Sequence, residues 1–302
     1  MAAPTDSDGG RARDSSRTSL AATLDRHLES PSLSLPVCPE SAARVLRELE
    51  AEGSDAEALQ RMVSRDPALV VSVLREANGP EFDALERIAT IERALSRLGE
   101  ERVAGLVGSS VTNSRLENAD PLLTQALHHA WKRSLAIALV APTIAARTGD
   151  EGLAQDAHLL GLLSDVGVVF LISALHAQRM QGGDRTPLTA VAEREVLDQL
   201  QHTYGIRVLD HWNLPPGVLA VLAGRPIGRD EQRQSLFLRV ARQVVSSIGL
   251  PPVGGEEGEG ADENELWELA EALELSTVDV AALQVQAEDL VASLDAEPVD
   301  ES

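Results

Sequence analysis

Apolar residues recur every three or four positions along most of this chain. Ala42, Val45, Leu46 and Leu49 form one such stripe, and Ala58, Leu59, Met62 and Val63 form the next. Residues at that spacing are neighbours on a helix surface, so each stripe predicts an amphipathic helix. The breaks carry helix punctuation. Gly53 ends the first helix. Asp66-Pro67 starts a third, with Asp66 as N-cap and Pro67 at the first helical position; its apolar face is Leu69, Val70, Val73 and Leu74. Thr90 is the expected cap of a helix that runs to Leu98 and stops at Gly99. Glu100 opens another, reaching about Asn113. Ahead of these, Leu20 to Leu28 predicts a short helix, and the prolines from Pro31 to Pro39 predict extended chain.

From Pro121 the predicted helices lengthen. Leu122 to Arg147 is one, ending at Gly149, and Asp150 to about Leu175 is a second, unbroken one. Gly182-Gly183 marks a loop. Leu188 to Tyr204 is helical, and Gly205 to Trp212 continues it or forms a separate turn. Leu214-Pro215-Pro216 breaks the chain before Val218 to Leu222. Arg229 to Ile248 is a long helix. Pro251 to Ala261, rich in Gly and Glu, reads as a flexible loop, with mobility expected around Glu256 to Glu263. Two helices, about Glu263 to Leu273 and Thr277 to Leu294, follow. Val280, Leu283, Leu290, Val291 and Leu294 predict that the last one docks on the body. No hairpin signal separates alternating runs, so the fold class is all-α. The natural boundary lies near Arg115 to Pro121. The organisation expected is a disordered tail at 1–18, a short-helix half at 19–118, a long-helix half at 119–250, and an acidic loop with C-terminal helices at 251–302.

Composition sharpens this picture. Hydrophobic residues make up 43 % of the chain and aromatics only 2 %, so the core must be built from Leu, Val, Ala and Ile. The net charge is -22, and residues 251–302 hold sixteen acidic residues with no Lys or Arg. Such a surface repels phosphate backbones and anionic lipid, and few aromatics leave few platforms for base stacking. Neither direct nucleic-acid binding nor a membrane partner is expected. Cys38 is the only cysteine, which rules out an intrachain disulfide and suits a reducing cytoplasm. Met1 to Thr18 is polar and lacks the apolar core of a signal peptide. Leu135 to Ala146, read as the most apolar stretch, is too short to span a bilayer and contains Pro142.

Several landmarks occur in a telling order. Leu35-Pro36-Val37-Cys38-Pro39 is followed by Arg65-Asp66-Pro67-Ala68-Leu69, then Ala77-Asn78, then Ile91 to Gly99 with Ala94, Leu95 and Leu98-Gly99. Trp131 and Ser134 come next, then Gly161-Leu162-Leu163, Asp165 to Gly167, Glu195, Gly205 and Trp212-Asn213-Leu214-Pro215. Over roughly residues 33–294 the set resembles the HDOD family, output-domain relatives of the HD metal-dependent phosphohydrolases. The departures from the HD pattern lie at the metal ligands. The resemblance places Arg133 where an HD enzyme has a His after the Trp, and Ser164 where it has the His before Asp165. It places Arg225-Pro226 where the late His pair would fall. His202 is offset by one residue from another family His, whose place is taken by Gln201. An oxygen-and-nitrogen metal centre needs several His and carboxylate ligands converging on one point. Of these only Asp165 remains, so the resemblance implies no cofactor and no metal.

Other chemistry-bearing residues have plainer readings beside the sharp ones. Asp165 is a residual ligand or a buried carboxylate paired with a cation. His128, His129 and His158 with Asp165 make a relocated metal cluster or, as the spacing favours, stay separate surface and helix-boundary residues. Trp131 and Trp212 line a ligand pocket or sit in core and seam. Cys38 has no basic sequence neighbour to activate it. Arg133 is expected to meet Asp165, forking onto its carboxylate from an adjacent long helix in place of a cation. The function implied is a non-catalytic bacterial signalling module that works through contacts with other signalling proteins, as a stand-alone adaptor with no receiver or cyclase domain. A phosphohydrolase with atypical ligands and a non-catalytic nucleotide sensor are the alternatives. Partner, upstream signal and oligomeric state are not encoded in any readable pattern.

Overall fold

A computed structural model describes residues 21–30, 33–51, 55–82, 87–113, 121–180, 190–212, 214–253 and 261–296. Every regular element among them is a helix. The first is α1 at residues 21–28. Then come α2 (Pro39–Glu50), α3 (Ala56–Val63), α4 (Pro67–Ala77), α5 (Ile91–Leu98) and α6 (Glu100–Asn113). The longer series is α7 (Pro121–Arg147), α8 (Ala154–Leu163), α9 (Val166–Met180), α10 (Ala190–His211), α11 (Pro216–Leu222), α12 (Arg229–Ser247), α13 (Glu263–Ala272) and α14 (Thr277–Ala296). The expected tail at 1–18, Gly53, Gly182-Gly183, the boundary at 115–120, Asn213 and loop residues 254–260 lie outside the described residues.

In the N-terminal part, α2 packs on α3 and α6, and α4 on α5 and α6. The Asp66-Pro67 start of α4 is as the sequence predicts. The Asp66 carboxylate accepts from the N–H groups of Ala68 at 2.8 Å and Leu69 at 3.1 Å. It also accepts the Cys38 N–H at 2.7 Å, which ties the Leu-Pro segment to the start of α4. That helix departs from the expected one-sided stripe: every residue from Pro67 to Leu74 is buried. A helix enclosed on all sides needs no polar face. Asn78 clamps the chain beyond it, donating to the Ile88 carbonyl at 2.9 Å and accepting the Ile88 N–H at 2.8 Å. Thr90 stands at the cap position of α5 but forms no side-chain capping bond, and its buried hydroxyl has no partner.

The main correction to the sequence reading concerns Asp150 to Leu175. One helix was expected there; the chain forms a 3-10 turn (Glu151–Leu153), then α8, a turn at Ser164-Asp165, and α9. Two glycines on either side of that turn explain the geometry. A Cβ on Gly161 would sit 2.6 Å from Ala138 Cα on α7. A Cβ on Gly167 would overlap the Gln201 carbonyl oxygen on α10. So α8 lies against α7, α9 lies against α10, and the chain must bend between them. By length and composition residues 151–178 are apolar enough to cross a membrane, yet 83 % of the apolar 18-residue window within them is buried in the protein.

Pro142 sits inside α7 instead of ending it. Having no N–H, it leaves the Ala138 carbonyl without its helical donor. His158 on α8 supplies one, with Nδ1 2.8 Å from that oxygen. Its Nε2 lies 3.1 Å from the Ser64 carbonyl just beyond α3, so one imidazole links both parts of the chain.

Helix α12 packs on α7, α8, α11, α13 and α14. The docking expected of α14 is present: Val280, Leu283 and Ala287 are fully buried. Each fully buried Val or Leu contributes roughly 2 kcal/mol. Arg147 pairs with Asp279 at 2.7 Å, and Gln286 donates to Thr143 at 3.0 Å. The acidic loop is shorter than expected at its far end, because Asp262 caps α13 by accepting from the N–H groups of Asn264 and Glu265.

Candidate functional site

Arg133 lies on the buried face of α7, between Trp131 and Leu135, and is only 3 % exposed. Asp165, 7 % exposed, sits in the turn between α8 and α9. The two meet. One guanidinium nitrogen, Nη1, donates to both carboxylate oxygens at 2.6 and 2.7 Å. The expected contact therefore forms, with two differences. Asp165 is presented by a turn, not by a helix face. The guanidinium does not fork onto it either, because Nε is used on the Leu250 carbonyl at 3.2 Å. Anchored to α12's far end through Leu250, Arg133 is a tie between three segments as well as an ion-pair partner.

A second arginine, missed in the sequence, belongs to this site. Arg242 on α12 donates to the Ser164 carbonyl at 3.4 Å, and its buried Nε has no partner among the described residues. Burial pulls its guanidinium below the ordinary arginine value; the nearby Asp165 charge opposes that shift and Arg133 adds to it. The group stays charged at neutral pH. A signal for it existed. Leu238, Ala241 and Val245 mark the buried stripe of α12, and an arginine at 242 falls on that stripe.

Arg133 and Arg242 line one cleft of about 380 Å³ between α7, α10, α11 and α12, together with Arg239, His202, Glu265 and the end of α11. Arg239 pairs with Glu265 at 2.6 Å. The cleft thus holds three guanidiniums, of which Arg133 is matched by Asp165 and Arg239 by Glu265. Among the described residues, Arg242 forms no ion pair of its own.

The remaining candidate positions scatter. The buried Oγ of Ser164 has no hydrogen-bond partner among the described residues, Asp165 included. Arg225 is exposed, and its N–H closes the end of α11 on the Ala220 carbonyl; neither it nor Pro226 lines the cleft. The two tryptophans do not share a pocket. Trp131 is buried against His128, ring centroids 5.5 Å apart. Trp212 borders a different opening of about 510 Å³, with Arg75, Asn78, Arg87 and His211. His129 contacts the Pro251 carbonyl at 2.7 Å and His158 is spent as above, so the relocated metal cluster does not assemble.

The HD scaffold implies a divalent metal, and the donor set here does not fit one. Asp165 already receives two bonds from a cation, Glu265 is paired with Arg239, and the guanidiniums of the cleft have no acceptor to offer a metal. Among the described residues, no group of three His, Cys, Asp or Glu is placed to hold an ion.

Comparison with known proteins agrees with this architecture. The HDOD domain family matches residues 35–225. The chain is similar to a fragment of the MmoQ response regulator of Methylococcus capsulatus, at 26 % identity and TM-score 0.57, covering 82 % of this chain and 94 % of that one. It is similar in fold to a virulence factor of Campylobacter jejuni, at 15 % identity and TM-score 0.56, covering 89 % of this chain and 98 % of that one. A Treponema pallidum protein described only as uncharacterized is 26 % identical over 212 residues. That match takes in 67 % of this chain and 39 % of the relative's length.

Proposed function

This chain belongs to the HDOD family, and we propose that it is a non-catalytic signal-transduction module that acts through contacts with other proteins. The observation that carries the reading is the Arg133–Asp165 pair. A guanidinium stands on both oxygens of the one carboxylate left from the ligand set. An HD-type hydrolysis needs an ion to bind phosphoryl oxygens and to lower the pKa of its water. Here the position nearest Asp165 is filled by a permanent charge that has no water to activate. Support also comes from the similarity to a protein named a response regulator.

The scaffold landmarks fit a module selected for shape. Asp66, Asn78, Gly161, Gly167 and Gly205 each hold one segment against another, and none of them lines the cleft. Elemental analysis and a hydrolysis assay with added Mn²⁺ test the proposal together. We expect no stoichiometric Fe, Mn, Mg or Zn and no turnover of phosphomonoesters or phosphodiesters. One tightly held metal per chain, lost in Asp165→Ala, overturns it. Affinity capture from the native organism, followed by mass spectrometry, then identifies the partner.

A further inference from the structure

We propose that the cleft between α7, α10, α11 and α12 binds a phosphate-class oxyanion, gripped by Arg242 and Arg133 with Arg239 and His202 at its more exposed edge. Three observations converge on it. Arg242 brings a charge into partly buried surroundings and, among the described residues, has no carboxylate of its own and no partner for its buried Nε–H. An unmade buried donor of this kind is destabilising, and more so when charged. The acids beside it already have partners. Asp165 is taken up by Arg133, and Glu265 by Arg239 and the Gln243 amide. Finally, this cationic cleft persists on a chain of net charge -22, so the general surface field opposes anions and only a local, built array can hold one.

The chemistry of the array favours phosphate over carboxylate. Arginine presents several N–H donors in a fixed fork that suits phosphoryl oxygens. A phosphoryl group offers three oxygens and up to two charges to donors arriving from α7 and α12, whereas a carboxylate offers two oxygens and one charge. The volume of about 380 Å³ admits a phosphorylated small molecule but not a nucleic-acid strand. Such a ligand would make the old site a receptor for a small anion, linking α7, α11 and α12. The inference rests on the metal-free reading of the site.

The test is thermal unfolding of the full chain in EDTA-containing buffer, with inorganic phosphate, pyrophosphate, acetate and chloride compared at matched ionic strength. Binding to the native state raises the midpoint in a saturable way. Phosphate or pyrophosphate is expected to do so, acetate and chloride not. Arg242→Gln should weaken the phosphate response at least about tenfold, the loss expected for one charged hydrogen-bond donor. Arg207→Gln, on α10 away from the cleft, should leave it unchanged. No saturable response to either phosphate overturns the proposal, as does an equal response to acetate, or a response that survives intact in Arg242→Gln. If Arg242→Gln does not fold, Arg239→Gln at the edge carries the same comparison, and unaltered phosphate binding there overturns the assignment. A response seen without EDTA and abolished by it places a metal at the site and removes the proposed function too. Failure of phosphate binding alone leaves that function standing.

Discussion

Asp66 and Asp165 are both buried, 1 % and 7 % exposed, and both stand immediately before a helix. Their partners differ in kind. Asp66 is met by three backbone N–H groups, from Cys38, Ala68 and Leu69. Asp165 is met by a side-chain cation. Backbone donors come with the fold: any sequence making this turn supplies them, so Asp66 can only be a scaffold residue. A guanidinium is a choice made at one position, and another side chain there would give the carboxylate another task. The difference separates what the architecture demands at α4 from what remains negotiable between α7 and α9.

The sharpest way to break the comparison leaves both carboxylates intact. Gly167→Ala places a Cβ where the Gln201 carbonyl oxygen stands, backbone against backbone with no flexible side chain to yield. We expect a loss on the order of 4 kcal/mol, or failure to fold, because α9 and α10 must separate and the Asp165 turn must move. Denaturant unfolding measures it. A loss below about 1 kcal/mol means that the crossing is soft and the turn is not clamped.

Next in size is the ion pair itself. Arg133→Met or Asp165→Asn alone should cost about 3 kcal/mol, because each strands the other group in a buried place. The double variant should cost much less than the sum, since removing both charges also removes their desolvation penalty. Coupling near zero in that cycle would make Asp165 an incidental remnant, no different in kind from any half-satisfied polar group.

The contrast also shows what the sequence can disclose. Asp66-Pro67 was legible because capping is local: acceptor, proline and the receiving N–H groups lie within four residues. The stripes of α2 and α3 were legible because those helices keep one wet face. The break at Ser164-Asp165 was not, because α8 and α9 are apolar nearly all round and a buried run carries no phase to interrupt. Arg133 with Asp165 was legible only through the family pattern, which aligns positions far apart in the chain. Arg242 had no such guide. Trp131 and Trp212 were grouped by residue type alone, and residue type does not say which side of a helix faces which cavity.

A third experiment asks which force governs Asp66. Burial pushes its carboxyl up to about 6, against the three N–H groups that favour the anion. An acid whose folded pKa is raised holds its proton more tightly when folded. Its contribution to stability is therefore fully present below its ordinary value near 4 and is lost as pH rises through about 6. A displacement of that size corresponds to a few kcal/mol. The unfolding free energy of the native chain minus that of Asp66→Asn should fall by that order between pH 4 and pH 7. A difference that rises with pH instead would show the backbone donors winning, and would set Asp66 even further apart from Asp165.

The smallest effect is expected at Asp25, whose side-chain partners lie at the surface. Its carboxylate accepts from Arg207 at 2.6 Å and from the Tyr204 hydroxyl at 2.9 Å, holding α1 to α10. The Arg207 hydrogen bond, then that of Tyr204, lowers its pKa below the ordinary carboxylate value, outweighing the modest effect of burial. The sign is the reverse of that at Asp66. Stability from a depressed acid is present above the unfolded value and lost as pH falls through the folded one, so it fades only below about pH 4. The two side chains are 42 % and 46 % exposed, so solvent screens most of the attraction. Asp25→Asn at pH 6 should cost about 0.5 kcal/mol, and less at high salt. Between pH 7 and pH 4, then, the Asp66 contribution should change while that of Asp25 stays level. If Asp25→Asn instead costs as much as Asp165→Asn and ignores salt, exposure does not set the value of a guanidinium–carboxylate pair in this fold, and the buried pair loses its claim to be special.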